Sequence, residues 1–140
     1  MSVQQLPAIA IPLVNKFYDQ HGARGRATKQ DKVWVVRCSN DIIAAARVVD
    51  VAQNALLCGV YVAAHYRAKG VASTLIAQVC KELNAPLYSF IYAHLKDFYT
   101  RLAFVPVLEP LPQALAQKFT SYVQQGRDLI PYVYDKQNNV

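Results

Sequence analysis

The sequence has few of the residues that cross-link or interrupt a chain. Its 140 residues include 3 Cys, 5 Gly and 1 Trp. The cysteines, Cys38, Cys58 and Cys80, are odd in number and widely spaced, and none has a partner at metal-ligand spacing. We therefore expect no metal site, and we interpret the cysteines as reduced core residues of a cytoplasmic protein. No run approaches the roughly 18 apolar residues of a membrane span, and the N-terminus lacks the basic start of a secretion signal, so we expect no membrane partner.

Acidic residues are also scarce. Nine Asp and Glu oppose fifteen Lys and Arg, which gives a formal net charge of +6. Five of the basic residues lie between Arg24 and Arg37, where only Asp31 opposes them. This balance favours an anionic partner, such as a phosphorylated cofactor or an acidic substrate, and the alternative is a solvated basic loop. Nucleic acid is the least favoured partner, because no aromatic residues are interleaved with the basic ones on one strand face.

The residues that are present predict one α/β domain over residues 1–140. The hydrophobic share of 54% suits a globular core. Apolar spacing and turn residues predict helices over 12–21, 70–83, 95–102 and 111–125, and strands over 33–38, 42–49, 54–62, 87–92 and 129–134. Gly59 inside a strand predicts a bulge or a close approach to the backbone, and Pro131 predicts an edge or bulged strand.

One junction carries chemical information: a strand, then Arg67-x-x-Gly70-x-Ala72, then a helix. The first N–H groups of a helix have no intrahelical partner and point outward at the positive end of its dipole, where a phosphate group can bind. Small residues let the backbone approach the anion, Arg67 and Lys69 add charge, and Ser73 or Thr74 offers a hydroxyl. The alternative is an ordinary connection with two exposed basic residues.

The junction resembles the coenzyme A loop of the GCN5-related N-acetyltransferase (GNAT) family, which reads Gln/Arg-x-x-Gly-x-Gly/Ala. A second family motif, Phe-Tyr-x-x-x-Gly-Phe on a short helix, is matched downstream by residues 98–104, which begin with Phe98-Tyr99. The two motifs stand in the family's order within residues 54–104. The resemblance implies a single-domain acyl-CoA N-acyltransferase fold: a mixed central sheet that splays at the strand before the loop and is flanked by helices.

The resemblance also implies roles for individual residues. Tyr99 matches the tyrosine that protonates the departing coenzyme A thiolate, and a phenol with a pKa of about 10 can act as the acid for a thiol of about 8.5. The alternative is that Tyr99 is a packed aromatic. The backbone of the strand would contact the pantetheine arm and the thioester carbonyl, and the loop would hold the pyrophosphate. The implied cofactor-binding residues are Val60, Tyr61, Val62, Arg67, Ala68, Lys69, Gly70, Val71, Ala72 and Ser73.

The sequence departs from the family at three places. Tyr92 replaces an Asn that often contacts the cofactor, and Ala103 replaces the Gly of the second motif. Residues 54–66 hold none of the carboxylates with which many relatives deprotonate the amine. His65 and His94 are the candidate bases, and His94 is preferred because it lies close in sequence to Tyr99. The alternative is that it is a hydrogen-bonded structural residue.

The first helix and the following loop form one wall of the acceptor site in this family. That loop holds Arg24, Arg26 and Lys29, so an acceptor with a carboxylate or phosphate is our hypothesis. We expect acetyl transfer from acetyl-CoA to a primary amine of a small molecule or peptide, by direct attack in a ternary complex. The alternative is an acyl-CoA-binding regulatory domain without turnover. A monomer and a homodimer both remain open.

Overall fold

The computed structural model describes residues 1–136. The strands are Ser2–Leu6 (β1), Lys32–Cys38 (β2), Asp41–Val51 (β3), Asn54–Val62 (β4), Leu87–Tyr92 (β5), Val105–Pro106 (β6) and Leu129–Tyr134 (β7). The helices are Ile11–Gln20 (α1), Val71–Glu82 (α2), Lys96–Arg101 (α3) and Gln113–Gln124 (α4). The strands form a mixed sheet in the order β1-β2-β3-β4-β5-β7-β6. The predicted α/β class and helix-flanked mixed sheet are confirmed.

The chain divides into two compact units. The first contains residues 1–49 and 57–82, and the second contains residues 50–56 and the chain from residue 83 onward. The predicted coenzyme A loop and the loop with Arg24 and Arg26 belong to the first unit. Tyr99 and His94 belong to the second.

In the first unit, β2 is covered on both faces. Val33 and Val35 pack in a cluster with Val14 and Phe17 of α1. Side chains alternate between the faces of a strand, so Trp34, which is 1% exposed, points to the other face. The helix α2 contacts β2 and β1 and buries the apolar face that its sequence spacing predicted. This double coverage explains why β2 reads as a continuous apolar run.

The strand β1 was not predicted from the sequence. Only Leu6 of its five residues is buried, so Ser2–Leu6 has no clear apolar alternation. It nevertheless pairs with β2 in antiparallel register, with Leu6 opposite Val33, at one end of the strand order. An edge strand that buries little is held by main-chain pairing, which leaves no hydrophobic pattern to detect.

In the second unit, Pro131 was expected to mark an edge strand or a bulged strand. The expectation of an edge strand is wrong. The strand β7 lies between β5 and β6, with Pro131 opposite Phe90. The Pro131 carbonyl accepts the Val107 N–H at 3.0 Å. The N and O atoms of one strand residue point to the same side, so the missing N–H of Pro131 faces the β6 side. Proline is tolerated because β6 has already ended there, at Pro106.

The structure shows how deeply the cysteines are buried and how long and apolar the helices are. None of the three cysteines forms a disulfide, but only Cys80 is buried, whereas Cys38 and Cys58 are half-buried. The interpretation of all three as core residues is therefore wrong for two of them. Within the described part of the chain, no helix is both long enough and apolar enough to span a bilayer.

Candidate active site

The strand β4 leads into a short basic loop and then into α2. A 3-10 turn over Ala64–Tyr66 follows the strand, and α2 begins at Val71. The Gly70 carbonyl accepts the Thr74 N–H at 3.1 Å and the Thr74 hydroxyl at 3.0 Å. The N–H groups of residues 71–73 therefore precede the first helical hydrogen bond and can bind an anion. Because the Thr74 hydroxyl is engaged, Ser73 is the better of the two hydroxyl candidates.

The backbone of this loop is open at Gly70. Gly70 has a φ of +79°, and a Cβ added there would meet no atom within 4 Å. Ala68 has a φ of +62°, the left-handed region that few non-glycine residues adopt. Space beside Gly70 and small side chains at 68 and 72 leave room for a diphosphate against the main chain.

The two basic side chains of the loop rest on aromatic rings. The Arg67 guanidinium carbon lies 5.1 Å from the Tyr61 ring centroid, and Nε of Arg67 donates to the Val62 carbonyl at 2.9 Å. The Lys69 ammonium lies 5.9 Å from the Tyr66 ring. These contacts with Tyr61 and Val62 orient the Arg67 side chain at the end of β4. Its terminal guanidinium nitrogens keep their N–H donors and can still bind phosphate oxygens. Two strand residues predicted to face the pantetheine arm thus also hold Arg67.

Gly59 in β4 confirms the predicted close approach to the backbone. Its φ is +60°, and its carbonyl accepts a hydrogen bond of 2.7 Å from the Tyr18 hydroxyl. A Cβ at this position would stand 2.9 Å from the Tyr18 oxygen and 3.0 Å from Nε of Arg47. The groups that approach are therefore side chains of the protein itself. The sequence reasoning missed both of them, because Tyr18 reads as a core aromatic of an amphipathic helix and Arg47 as an exposed strand residue.

The second unit holds the proposed acid and base. Tyr99 on α3 is 6% exposed and packs edge-on against Phe104, with ring centroids 5.2 Å apart. His94 is exposed and stacks on Tyr92 at 6.0 Å. The Tyr92 hydroxyl accepts a hydrogen bond of 3.4 Å from Nε of Arg127. Tyr92, which replaces the family's Asn, is thus part of a small group of polar and aromatic side chains.

The two arginines proposed for the acceptor differ in their surroundings. Arg26 forms an ion pair with Asp19 of α1, in which one terminal guanidinium nitrogen (Nη1) donates to both carboxylate oxygens, at 2.7 and 2.8 Å. Both side chains are more than half exposed, at 61% and 58%, so the pair adds little to stability. Arg24 is exposed and forms no ion pair within residues 1–136. Arg24 is therefore the better candidate for an anionic acceptor.

A strand that enters a basic loop and then a helix N-terminus is an arrangement found in α/β proteins, and such a helix start can bind a phosphate group. Residues 29–106, more than half of the chain, match the family model described as the acetyltransferase (GNAT) domain. The chain belongs to the GNAT family and has an acyltransferase fold. No curated protein sequence matches it.

Solved structures share the fold at low sequence identity. ElaA from Escherichia coli has a TM-score of 0.68 at 15% identity, covering 96% of this chain and 100% of ElaA. Rv2747 from Mycobacterium tuberculosis, solved with coenzyme A, has a TM-score of 0.69 at 11% identity, covering 96% of this chain and 99% of Rv2747. An aminoglycoside 6′-N-acetyltransferase, complexed with coenzyme A, has a TM-score of 0.61 at 11% identity, covering 96% of both chains.

Proposed function

We propose that this protein is an N-acetyltransferase that moves the acetyl group of acetyl-CoA to a primary amine in a ternary complex. The observation that carries the proposal is the loop of residues 67–72, which is open at Gly70 and begins with the oriented Arg67, in a chain of the GNAT family. Two structural neighbours bind coenzyme A, which supports a ligand of that type here.

The residues of the first unit fit the donor. The amides at the start of α2 and the cations Arg67 and Lys69 would hold the pyrophosphate, together with Ala68, Gly70 and Ser73. The backbone of Val60, Tyr61 and Val62 would contact the pantetheine arm. When bound, acetyl-CoA supplies an activated acetyl thioester, and an N–H group aimed at its carbonyl oxygen would stabilise the charge that develops there.

The reaction needs two proton transfers. The amine nitrogen forms a bond to the thioester carbonyl carbon, and the bond from that carbon to sulfur breaks. We assign to Tyr99 the transfer of its phenolic proton to the departing thiolate, and to His94 the acceptance of the amine proton. Neither group forms a covalent intermediate in this scheme.

The acceptor is proposed to be a small-molecule or peptide amine that carries an anionic group. Arg24 and Arg26 would recognise a carboxylate or phosphate on it, with Arg24 the more available of the two. An Arg24→Ala and Arg26→Ala double variant should raise KM for an anionic acceptor and leave kcat nearly unchanged. An unchanged KM would rule out this role.

The donor site is tested by Arg67→Ala. Loss of a charge-assisted contact should weaken coenzyme A binding about tenfold in calorimetry and reduce the dependence of the affinity on salt. Arg101→Ala removes an exposed arginine at the end of α3 and should leave the affinity unchanged. Equal affinities for the wild type and Arg67→Ala would contradict the assignment of the loop to the pyrophosphate.

A second function is favoured by one observation: residues 54–66 contain no Asp or Glu. If His94 does not serve as the base in place of a carboxylate on that strand, the protein would be a regulatory domain that binds acyl-CoA without turnover. Thiol release from acetyl-CoA over a panel of amines separates the two functions. Release that depends on an amine supports the enzyme, whereas tight acetyl-CoA binding without release from any amine supports the regulatory domain.

A further inference from the structure

The peptide that joins Gly59 to Val60 is held by a side chain from another element. The Tyr18 ring is fully buried, at 0% exposure, and its hydroxyl donates to the Gly59 carbonyl at 2.7 Å. With a φ of +60°, Gly59 leaves the extended conformation of the strand. A side chain at Gly59 would displace the Tyr18 hydroxyl, so glycine is what allows this contact.

Arg47 of β3 lies beside the same contact. Its side chain is only 17% exposed, and it faces the 7% exposed carboxylate of Asp31 at 3.7 Å. That carboxylate also accepts the Thr28 N–H at 2.9 Å. A Cβ at Gly25 would collide with the Arg47 guanidinium, so the loop after α1 closes tightly over this side chain.

The charge of Arg47 orients the Tyr18 hydroxyl. A Cβ at Gly59 would stand 2.9 Å from the Tyr18 oxygen and 3.0 Å from Nε of Arg47, so the guanidinium lies near that oxygen. Its charge partly opposes the rise in the Tyr18 pKa that burial causes. A nearby cation attracts the oxygen lone pairs and repels the hydroxyl hydrogen. The hydrogen is therefore directed away from Arg47 and toward the Gly59 carbonyl.

In a trans peptide, the C=O and the N–H point in opposite directions. Because Tyr18 fixes the Gly59 carbonyl, it also fixes the Val60 N–H, which points away from Tyr18. We propose that Tyr18 and Arg47 are positioning residues that aim the Val60 N–H at the thioester carbonyl oxygen of the acyl donor. This inference rests on the proposed function, in which the backbone of residues 60–62 contacts that thioester.

The test compares acetyl-CoA with coenzyme A, which lacks the thioester carbonyl, so it requires no knowledge of the acceptor. Calorimetry on the full chain should show that Tyr18→Phe weakens acetyl-CoA binding about fivefold, the size of one hydrogen bond, while coenzyme A binding stays within about twofold. With acetyl-CoA labelled with 13C at the carbonyl, binding to the wild type should lower the infrared carbonyl frequency. Tyr18→Phe should reduce that shift.

The matched control is Asn15→Ala. Asn15 also lies on α1 and forms two hydrogen bonds to Ala27, at 3.0 and 2.8 Å, but it does not hydrogen-bond to Gly59. Asn15→Ala should lower the stability of the protein and leave the ratio of its affinities for acetyl-CoA and coenzyme A unchanged. Gly59→Ala, which forces the Tyr18 hydroxyl away, is the second variant if Tyr18→Phe does not fold, and it should reduce the ratio in the same way.

The outcomes separate this inference from the function on which it rests. If the wild type binds neither ligand, the proposed function fails, and this inference fails with it. If the wild type binds both ligands but folded Tyr18→Phe keeps the wild-type affinity ratio and infrared shift, the positioning role is overturned and the proposed function stands.

Discussion

Tyr18 shows how burial changes the chemistry of a single residue. Burial raises the pKa of its phenol above the ordinary value of 10.0, and Arg47 opposes this rise only in part. The neutral hydroxyl is the form that can donate to Gly59. The hydrogen bond and the neutral state of Tyr18 therefore depend on each other.

Alkaline pH should weaken the folded state through this residue. Below about pH 10, Tyr18 is protonated in both the folded protein and the unfolded chain, and its contribution to stability is complete. Above that pH, the unfolded chain releases the proton that the folded state retains, so the free energy of unfolding falls. At pH 8, Tyr18→Phe should lower the free energy of unfolding by about 1–3 kcal/mol, since it leaves a buried carbonyl without its donor.

The difference in the free energy of unfolding between the wild type and Tyr18→Phe should then decrease by about 1 kcal/mol between pH 10 and pH 11, because only the wild type contains Tyr18. Urea unfolding of the wild type and the variant at both pH values measures this change. A pH-independent difference between the two proteins would show that Tyr18 does not titrate above its ordinary range. The other eight tyrosines are common to both proteins, so their titration cancels in the comparison.

The turn between α3 and β6 illustrates strain in a local element. Ala103 has a φ of +70°, and its N–H donates to the Thr100 carbonyl at 3.0 Å. The family has Gly at this position, and Gly adopts a positive φ without steric cost. The structure adopts the left-handed turn in spite of the Cβ.

Ala103→Gly should therefore raise the free energy of unfolding. Removing the Cβ relieves about 1–2 kcal/mol of strain, partly offset by about 0.5–1 kcal/mol of chain entropy. Thermal or urea unfolding should show a net gain of about 0.5–1 kcal/mol. Ala116→Gly, inside α4, is the matched control and should lose about 1 kcal/mol. Destabilisation by both changes would mean that the turn at 103 is not strained.

The elements were predictable where one face of the chain is buried. The strand β4 has the predicted bounds, and α2 has the predicted apolar face, because strong periodicity requires only local sequence. The strand β1 and the interior position of β7 were missed. Both depend on which strand lies alongside, and pairing partners distant in sequence leave no local pattern.

The whole chain is predicted to be a single domain, although its contacts group into two compact units. Trp34, the only tryptophan, is buried in the first unit, while far-ultraviolet circular dichroism reports helices and strands of both. Urea unfolding followed by Trp34 fluorescence and by circular dichroism should give coincident transitions. Separate midpoints would mean that the two units unfold independently.

The sequence alone determined the family, the α/β class and the loop of residues 67–72, because loop chemistry and helix periodicity are encoded by neighbours in the chain. The roles of the predicted site residues stay predictions. Only the tertiary structure decided that Tyr18 and Arg47 converge on Gly59, that Arg67 rests on Tyr61, and that Arg26 is paired with Asp19. Tyr18 and Gly59 are forty-one positions apart, and their contact exists because α1 packs on the sheet that contains β4.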